Sequence, residues 1–162
     1  MQKIFLILFL FLTITTTTQA QTDLPSVIVT TIDGKKVNLA DYGKSGKNLV
    51  ISFWATWCGP CKKELNNMTD LYQVWKTKYN VEVLAISIDD QRNVPKVASY
   101  VKSQQWLYTV LIDSNQDLKR ALNFQTVPYL ILVNKQGKIV YKHTAYVEGD
   151  EDVLDQKIKE LK

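Results

Sequence analysis

The chain has 162 residues, 46% hydrophobic, 10% aromatic and 22% charged, with 6 Gly and 4 Pro, which suffices for one domain with a sizeable core and excludes collagen-like, low-complexity and broadly disordered classes. Its net charge of +4 arises from 20 basic and 16 acidic residues that are interspersed along the chain, so nucleic-acid binding is not indicated. The 2 cysteines, Cys58 and Cys61, are too few for a stapled secreted mini-fold or a four-cysteine zinc site.

Lys3 precedes the apolar run Ile4 to Leu12, the pattern of a secretory leader; the run is about half of the roughly 20 residues that a membrane-spanning helix needs. Small residues at Thr18 and Ala20 predict cleavage after Ala20, making residues 1–20 a signal peptide and 21–162 the domain; a buried strand and an uncleaved anchor are the alternatives. Loss of Lys3 would leave 19 basic against 16 acidic residues, a charge of +3. The expected location is therefore periplasmic or otherwise exported.

Val27 to Thr31 and Lys36 to Leu39 are β-prone and flank Asp33-Gly34, a hairpin signal, and Gly43 to Lys47 reads as a loop. Leu49 to Trp54 is nearly continuously apolar, as expected of a strand buried on both faces. Beyond Pro60, which suits the first helical position, Cys61, Leu65, Met68, Tyr72, Trp75 and Tyr79 recur at helical spacing and predict one amphipathic helix of about five turns. A strand over Val81 to Ile88, a helix over Val94 to Gln105, a strand over Tyr108 to Ile112 and a short helix over Gln116 to Leu122 follow. Strands at Tyr129 to Val133 and Ile139 to Lys142 enclose the turn Asn134-Lys135-Gln136-Gly137, and a final helix covers Glu151 to Leu161. This order implies an α/β sandwich: a central mixed β-sheet flanked by helices, with an added N-terminal β-hairpin and the first two buried strands parallel. The cysteines fall at the carboxyl end of a strand and the start of a helix, the edge where open α/β sheets bind ligands.

Two thiols at the spacing of Cys58-Gly59-Pro60-Cys61 can close a reversible disulfide. Free amides and the helix dipole lower the first thiol's pKa below its usual value of about 8.5, so Cys58 is the expected nucleophile and exposed sulfur. Cys61, one helical turn inward, is the expected resolving thiol. An inert bridge would close too short a loop to stabilise much, and a metal site would lack ligands beyond His143.

Phe53-Trp54-Ala55-Thr56-Trp57-Cys58-Gly59-Pro60-Cys61-Lys62 closely resembles the active-site segment of thioredoxins, and Thr126-Val127-Pro128 resembles that family's cis-proline loop. The added hairpin, the long segment from Asp89 to Asp113 and the Cys-Lys-Lys-Glu continuation are similar to the exported TlpA and ResA-type branch. The resemblance covers Val27 to Leu161. It implies a thioredoxin-like fold and thiol-disulfide exchange with disulfide-bearing exported proteins, several members being reductants for apocytochrome c or copper-site assembly. It also implies a cis Pro128 and a membrane thiol electron donor; no cofactor, metal or nucleic acid is expected, and the chain is expected to be a monomer. Trp57, Val127 and Pro128 would then meet the substrate, by main-chain pairing at Val127.

Where thioredoxins carry a buried aspartate in the strand before the site, this chain has Ser52. Glu64, three residues after Cys61, is the candidate proton acceptor for the resolving cysteine; the alternative is an acidic residue favoured only by the helix's first turns. Lys62 and Lys63 read as a solvated face, His143 as a surface or hydrogen-bonded residue, and Trp54 and Trp75 as core. A peroxiredoxin-like peroxidase is a rival, but Thr56 stands two residues before Cys58 rather than three, and Arg92 and Arg120 are the only arginines. A copper chaperone using both thiols and His143 is another.

Overall fold

In the computed structural model, which describes residues 22–161, every residue of Asn48–Trp54 (β4) is buried. β4 is central because it pairs on both sides: parallel with Val81–Ser87 (β5) and antiparallel with Tyr129–Val133 (β7). Both neighbours are themselves apolar runs, so the strand needs no polar face. The remaining strands are Thr22–Asp23 (β1), Ile28–Thr31 (β2), Lys36–Asn38 (β3), Thr109–Ile112 (β6) and Lys138–Thr144 (β8). They complete a mixed sheet of order β1-β8-β7-β4-β5-β6-β2-β3.

The hairpin β2–β3 forms as expected and is stitched antiparallel to β6. It is preceded by β1, which the sequence did not reveal and which pairs with Lys138 and Ile139 of β8. Leu39–Gly43 is a short helix (α1) whose N-cap Asn38 accepts the Ala40 N–H at 3.0 Å, so the predicted strand stops one residue early. In the turn before β8, Gly137 has φ +75°, and a Cβ there would lie 2.9 Å from the Gly43 carbonyl oxygen; only glycine fits this approach.

The expected five-turn helix is two helices, Gly59–Asn67 (α2) and Thr69–Tyr79 (α3), meeting at Met68. The Leu65 carbonyl accepts from the Tyr108 hydroxyl at 2.8 Å and from Thr69 Oγ1 at 3.3 Å. Side-chain donors inserted into the carbonyl ladder bend a helix. Val94–Gln104 (α4), Asp117–Ala121 (α5) and Asp150–Glu160 (α6) follow. Successive β4 residues serve opposite faces: Phe53 packs with Phe124 and Tyr129, Trp54 with Tyr100 and Trp106. Trp54 and Trp75 are fully buried, as expected.

The predicted leader, residues 1–20, lies outside the described residues. Among those described, no helix is long and apolar enough to cross a membrane.

Candidate active site

β4 ends at Trp54, and a short turn, tied by the Cys58 N–H to the Ala55 carbonyl at 3.0 Å, delivers Cys58 to the start of α2. Cys58 is the N-cap of that helix: its backbone is extended, and its sulfur accepts the Cys61 N–H at 3.3 Å. Pro60 fills the first turn, where its missing N–H costs nothing. Cys58 and Cys61 are joined as a disulfide, with Cα atoms 5.4 Å apart. Cys61 is fully buried and Cys58 is 5% exposed; the order of accessibility is the expected one, but Cys58 is nearly covered rather than open. Gly59 and Pro60 are exposed between them.

Glu64 follows Cys61 by three residues, so both lie on one face of α2. Helical phase turns this carboxylate into the core, where it is 3% exposed and its Oε2 accepts the Ser52 hydroxyl at 2.7 Å. Ser52 is thus the partner that allows a carboxylate to be buried in the position the sequence singled out. Burial pushes the Glu64 carboxyl up to about 7; the Ser52 hydrogen bond pulls it down, and the negative charges of Asp150 and Glu151 push it further up.

The Val127-Pro128 peptide bond is cis. Tyr129 of β7 stands opposite Phe53 of β4, so Pro128 reaches the level of Trp54, at the sheet edge from which the cysteine helix departs. Val127 is half-buried and Pro128 buried. Trp57 is 64% exposed, a large apolar surface beside Cys58.

The two lysines differ from the expected solvated pair. Lys63 is exposed and bridges to Glu148, but Lys62 is half-buried, its Nζ 5.2 Å from the centre of the Tyr100 ring and 3.2 Å from the Thr56 carbonyl oxygen. His143 Nε2 lies 3.0 Å from Asp150 Oδ2. Among the described residues no three His, Cys, Asp or Glu side chains converge as a metal site.

Asp89, which sequence reasoning missed as a site residue, is fully buried just after β5. Its carboxylate takes the Thr56 N–H at 2.8 Å, the Thr56 hydroxyl at 2.7 Å and the Ser87 hydroxyl at 2.8 Å. It therefore holds the turn that presents Cys58. The available signal was an acid immediately after an apolar strand, at the edge where the cysteines emerge.

A helix-capping sulfur in a closed pair and a carboxylate buried one turn beyond it are equipment for reversible thiol-disulfide exchange, and the comparisons with known proteins agree. Residues 20–142 match the AhpC/TSA family. The thiol-disulfide oxidoreductase ResA of Bacillus thuringiensis subsp. konkukian (strain 97-27) is 30% identical over 141 residues, covering 86% of this chain and 76% of the relative. An uncharacterized thioredoxin-like protein from Porphyromonas gingivalis is 42% identical and superposes with a TM-score of 0.77 over 85% of this chain and 90% of that one. A thiol-disulfide oxidoreductase from Bacteroides fragilis NCTC 9343, at 24% identity, shares the fold with a TM-score of 0.70 over 87% of this chain and 100% of that one. The chain belongs to the AhpC/TSA family, among its ResA-type thiol-disulfide oxidoreductases.

Proposed function

We propose that this protein works outside the cytoplasm as a reductant, passing two electrons from its Cys58/Cys61 dithiol to disulfides in other exported proteins. The observation that carries the reading is a disulfide at a helix N-terminus with a buried carboxylate one turn further along the same helix. A Gly-Pro pair between the cysteines matches thioredoxin, whose potential near about −270 mV is reducing. The resemblance points to substrates whose disulfide must be opened before a haem or a metal is installed. Export places the pair among oxidants, so a membrane protein with exposed thiols must restore it.

In the reduced protein the amides and dipole of α2 favour the Cys58 thiolate. Trp57 offers an apolar contact to the incoming substrate, and the backbone at Val127 pairs with an extended segment of it. The thiolate attacks one sulfur of the substrate disulfide, that bond breaks, and one substrate thiolate leaves and takes a proton from water. Cys61 then gives its proton to the Glu64 carboxylate and attacks the Cys58 sulfur. The bond between Cys58 and the substrate breaks, the Cys58–Cys61 bond forms, and the second substrate thiolate departs with the electron pair. A base whose pKa lies near the working pH both takes and returns a proton readily, which suits a carboxyl at about 7.

Replacement Cys61→Ser removes the resolving sulfur, so the reduced variant should accumulate mixed disulfides on Cys58 with proteins of the exported fraction. In the same fraction the wild-type chain should begin at Gln21, and limiting alkylation should label Cys58 before Cys61. Absence of trapped adducts, or first labelling at Cys61, would overturn the roles assigned; recovery of intact Met1 protein from membranes would show an uncleaved anchor.

A further inference from the structure

Cross-strand partners in a sheet carry their side chains on the same face. The registers pair Ser52 with Leu130 and Leu130 with His143, so these three form a row across β4, β7 and β8, about 10 Å from end to end. At one end Ser52 holds Glu64. At the other, His143 meets Asp150 across 3.0 Å, with side chains 32% and 28% exposed. Between the two ends lies a narrow recess of about 10 Å³, lined by Glu64, Leu130, His143, Tyr146, Asp150 and Glu151 among others. That is room for about one water molecule. Neither Cys58 nor Trp57 borders it.

We propose that this recess is the route by which Glu64 exchanges its proton with solvent, and that His143, held by Asp150, passes the proton across its mouth. The proposal rests on Glu64 being the acceptor for Cys61. On that reading Glu64 receives a proton while substrate still covers Cys58, itself only 5% exposed, so a proton that is to reach solvent rather than return to Cys61 needs a second way out. An imidazole can accept a proton on one nitrogen and release it from the other.

The mouth is built to stay in place. Asp150 Oδ2 also takes the Val147 N–H at 2.7 Å, and Glu151 is held by the Tyr146 hydroxyl at 2.9 Å and by Asn67 at 3.2 Å. The titratable groups that line the recess with Glu64 are Asp150 and Glu151 from α6, Tyr141 and His143 from β8, and Tyr146 from the connection between them; β4 contributes the Ser52 hydroxyl, and Cys61 lies three residues back on the same helix. Burial, and after it the two carboxylates, raise the proton affinity of Glu64, which makes the group a good acceptor and its discharge the step that needs help.

The test is steady-state reduction of insulin, a generic protein disulfide, with dithiothreitol as electron source, across pH 6 to 9 in weak buffer. His143→Ala should turn over about tenfold more slowly near pH 7, and added imidazole should restore the rate by carrying the proton itself. Asp150→Asn, which preserves the shape of the α6 start, should show a smaller loss with the same rescue. Glu64→Gln should be slow and unresponsive to imidazole. If Glu64→Gln is slow while His143→Ala and Asp150→Asn match wild type, the route is overturned and the role of Glu64 stands. A loss in His143→Ala that imidazole does not relieve also overturns the route, since a structural defect behaves that way. If Glu64→Gln matches wild type, both readings fall.

Discussion

Glu64 shows what a buried acid costs the fold and how that cost varies with pH. Its carboxyl is raised from 4.5 to about 7, so the folded state holds a proton that the unfolded chain releases more easily. Below pH 4.5 both states are protonated and the group has no effect. As pH rises from 4.5 to 7 the unfolded chain ionises first, and about 3 kcal/mol of stability is lost across that window, remaining lost above it. Glu64→Gln keeps the shape and a hydrogen-bonding partner for Ser52 while removing the charge. Urea denaturation should therefore show the variant more stable than wild type by roughly 2–3 kcal/mol at pH 8 and nearly equal at pH 4.5. Equal stability at both values would mean that the carboxylate is solvated in solution. An acid that weakens the fold at neutral pH is better explained by its chemistry than by its packing.

Among the elements, the break at Met68 makes the clearest mechanical claim. Two hydroxyls meet the Leu65 carbonyl there, and the Tyr108 hydroxyl also lies 3.2 Å from Thr69 Oγ1. Tyr108→Phe removes the shared hydroxyl from a buried site and should cost about 1–2 kcal/mol in thermal or urea unfolding; an unchanged midpoint would show that the bend is imposed by packing alone. The periodicity from Cys61 to Tyr79 runs through the bend unbroken because no Pro or Gly marks it; its cause lies just before β6, 43 residues beyond Leu65. The same distance hid Asp89, whose partner Thr56 is 33 residues away, and β1, whose two residues carry no pattern. The cysteine pair was legible from its spacing at the end of an apolar strand, whereas Ser52, Glu64 and Pro128 stood out through the resemblance of their surroundings to the thioredoxin segment and loop. The extent of Glu64's burial was not, since it depends on α6 closing over α2 and β7.

For the molecule as a whole, the sulfur that caps α2 joins folding to electron transfer. A charged sulfur accepts amide hydrogens more strongly than a disulfide sulfur does, so the Cys58 cap favours the reduced form and by itself pulls the protein toward being an oxidant. Glu64 pulls the other way, since a carboxylate near the pair disfavours a second negative charge. Folding and reduction are two legs of one thermodynamic cycle. Whatever free energy the fold gives the disulfide over the dithiol, relative to the same cysteines in the unfolded chain, is a shift in reduction potential of about 30 mV for each 1.4 kcal/mol. A fold that makes the pair more reducing is the more stable in its oxidised form, and at pH 7 the oxidised protein should unfold at a higher urea concentration than the reduced one. The opposite order would show that the fold makes the pair more oxidising than the same cysteines in the unfolded chain. A pair of unfolding curves thus gives the sign and size of the shift that the fold imposes on the potential, with neither donor nor substrate in the tube.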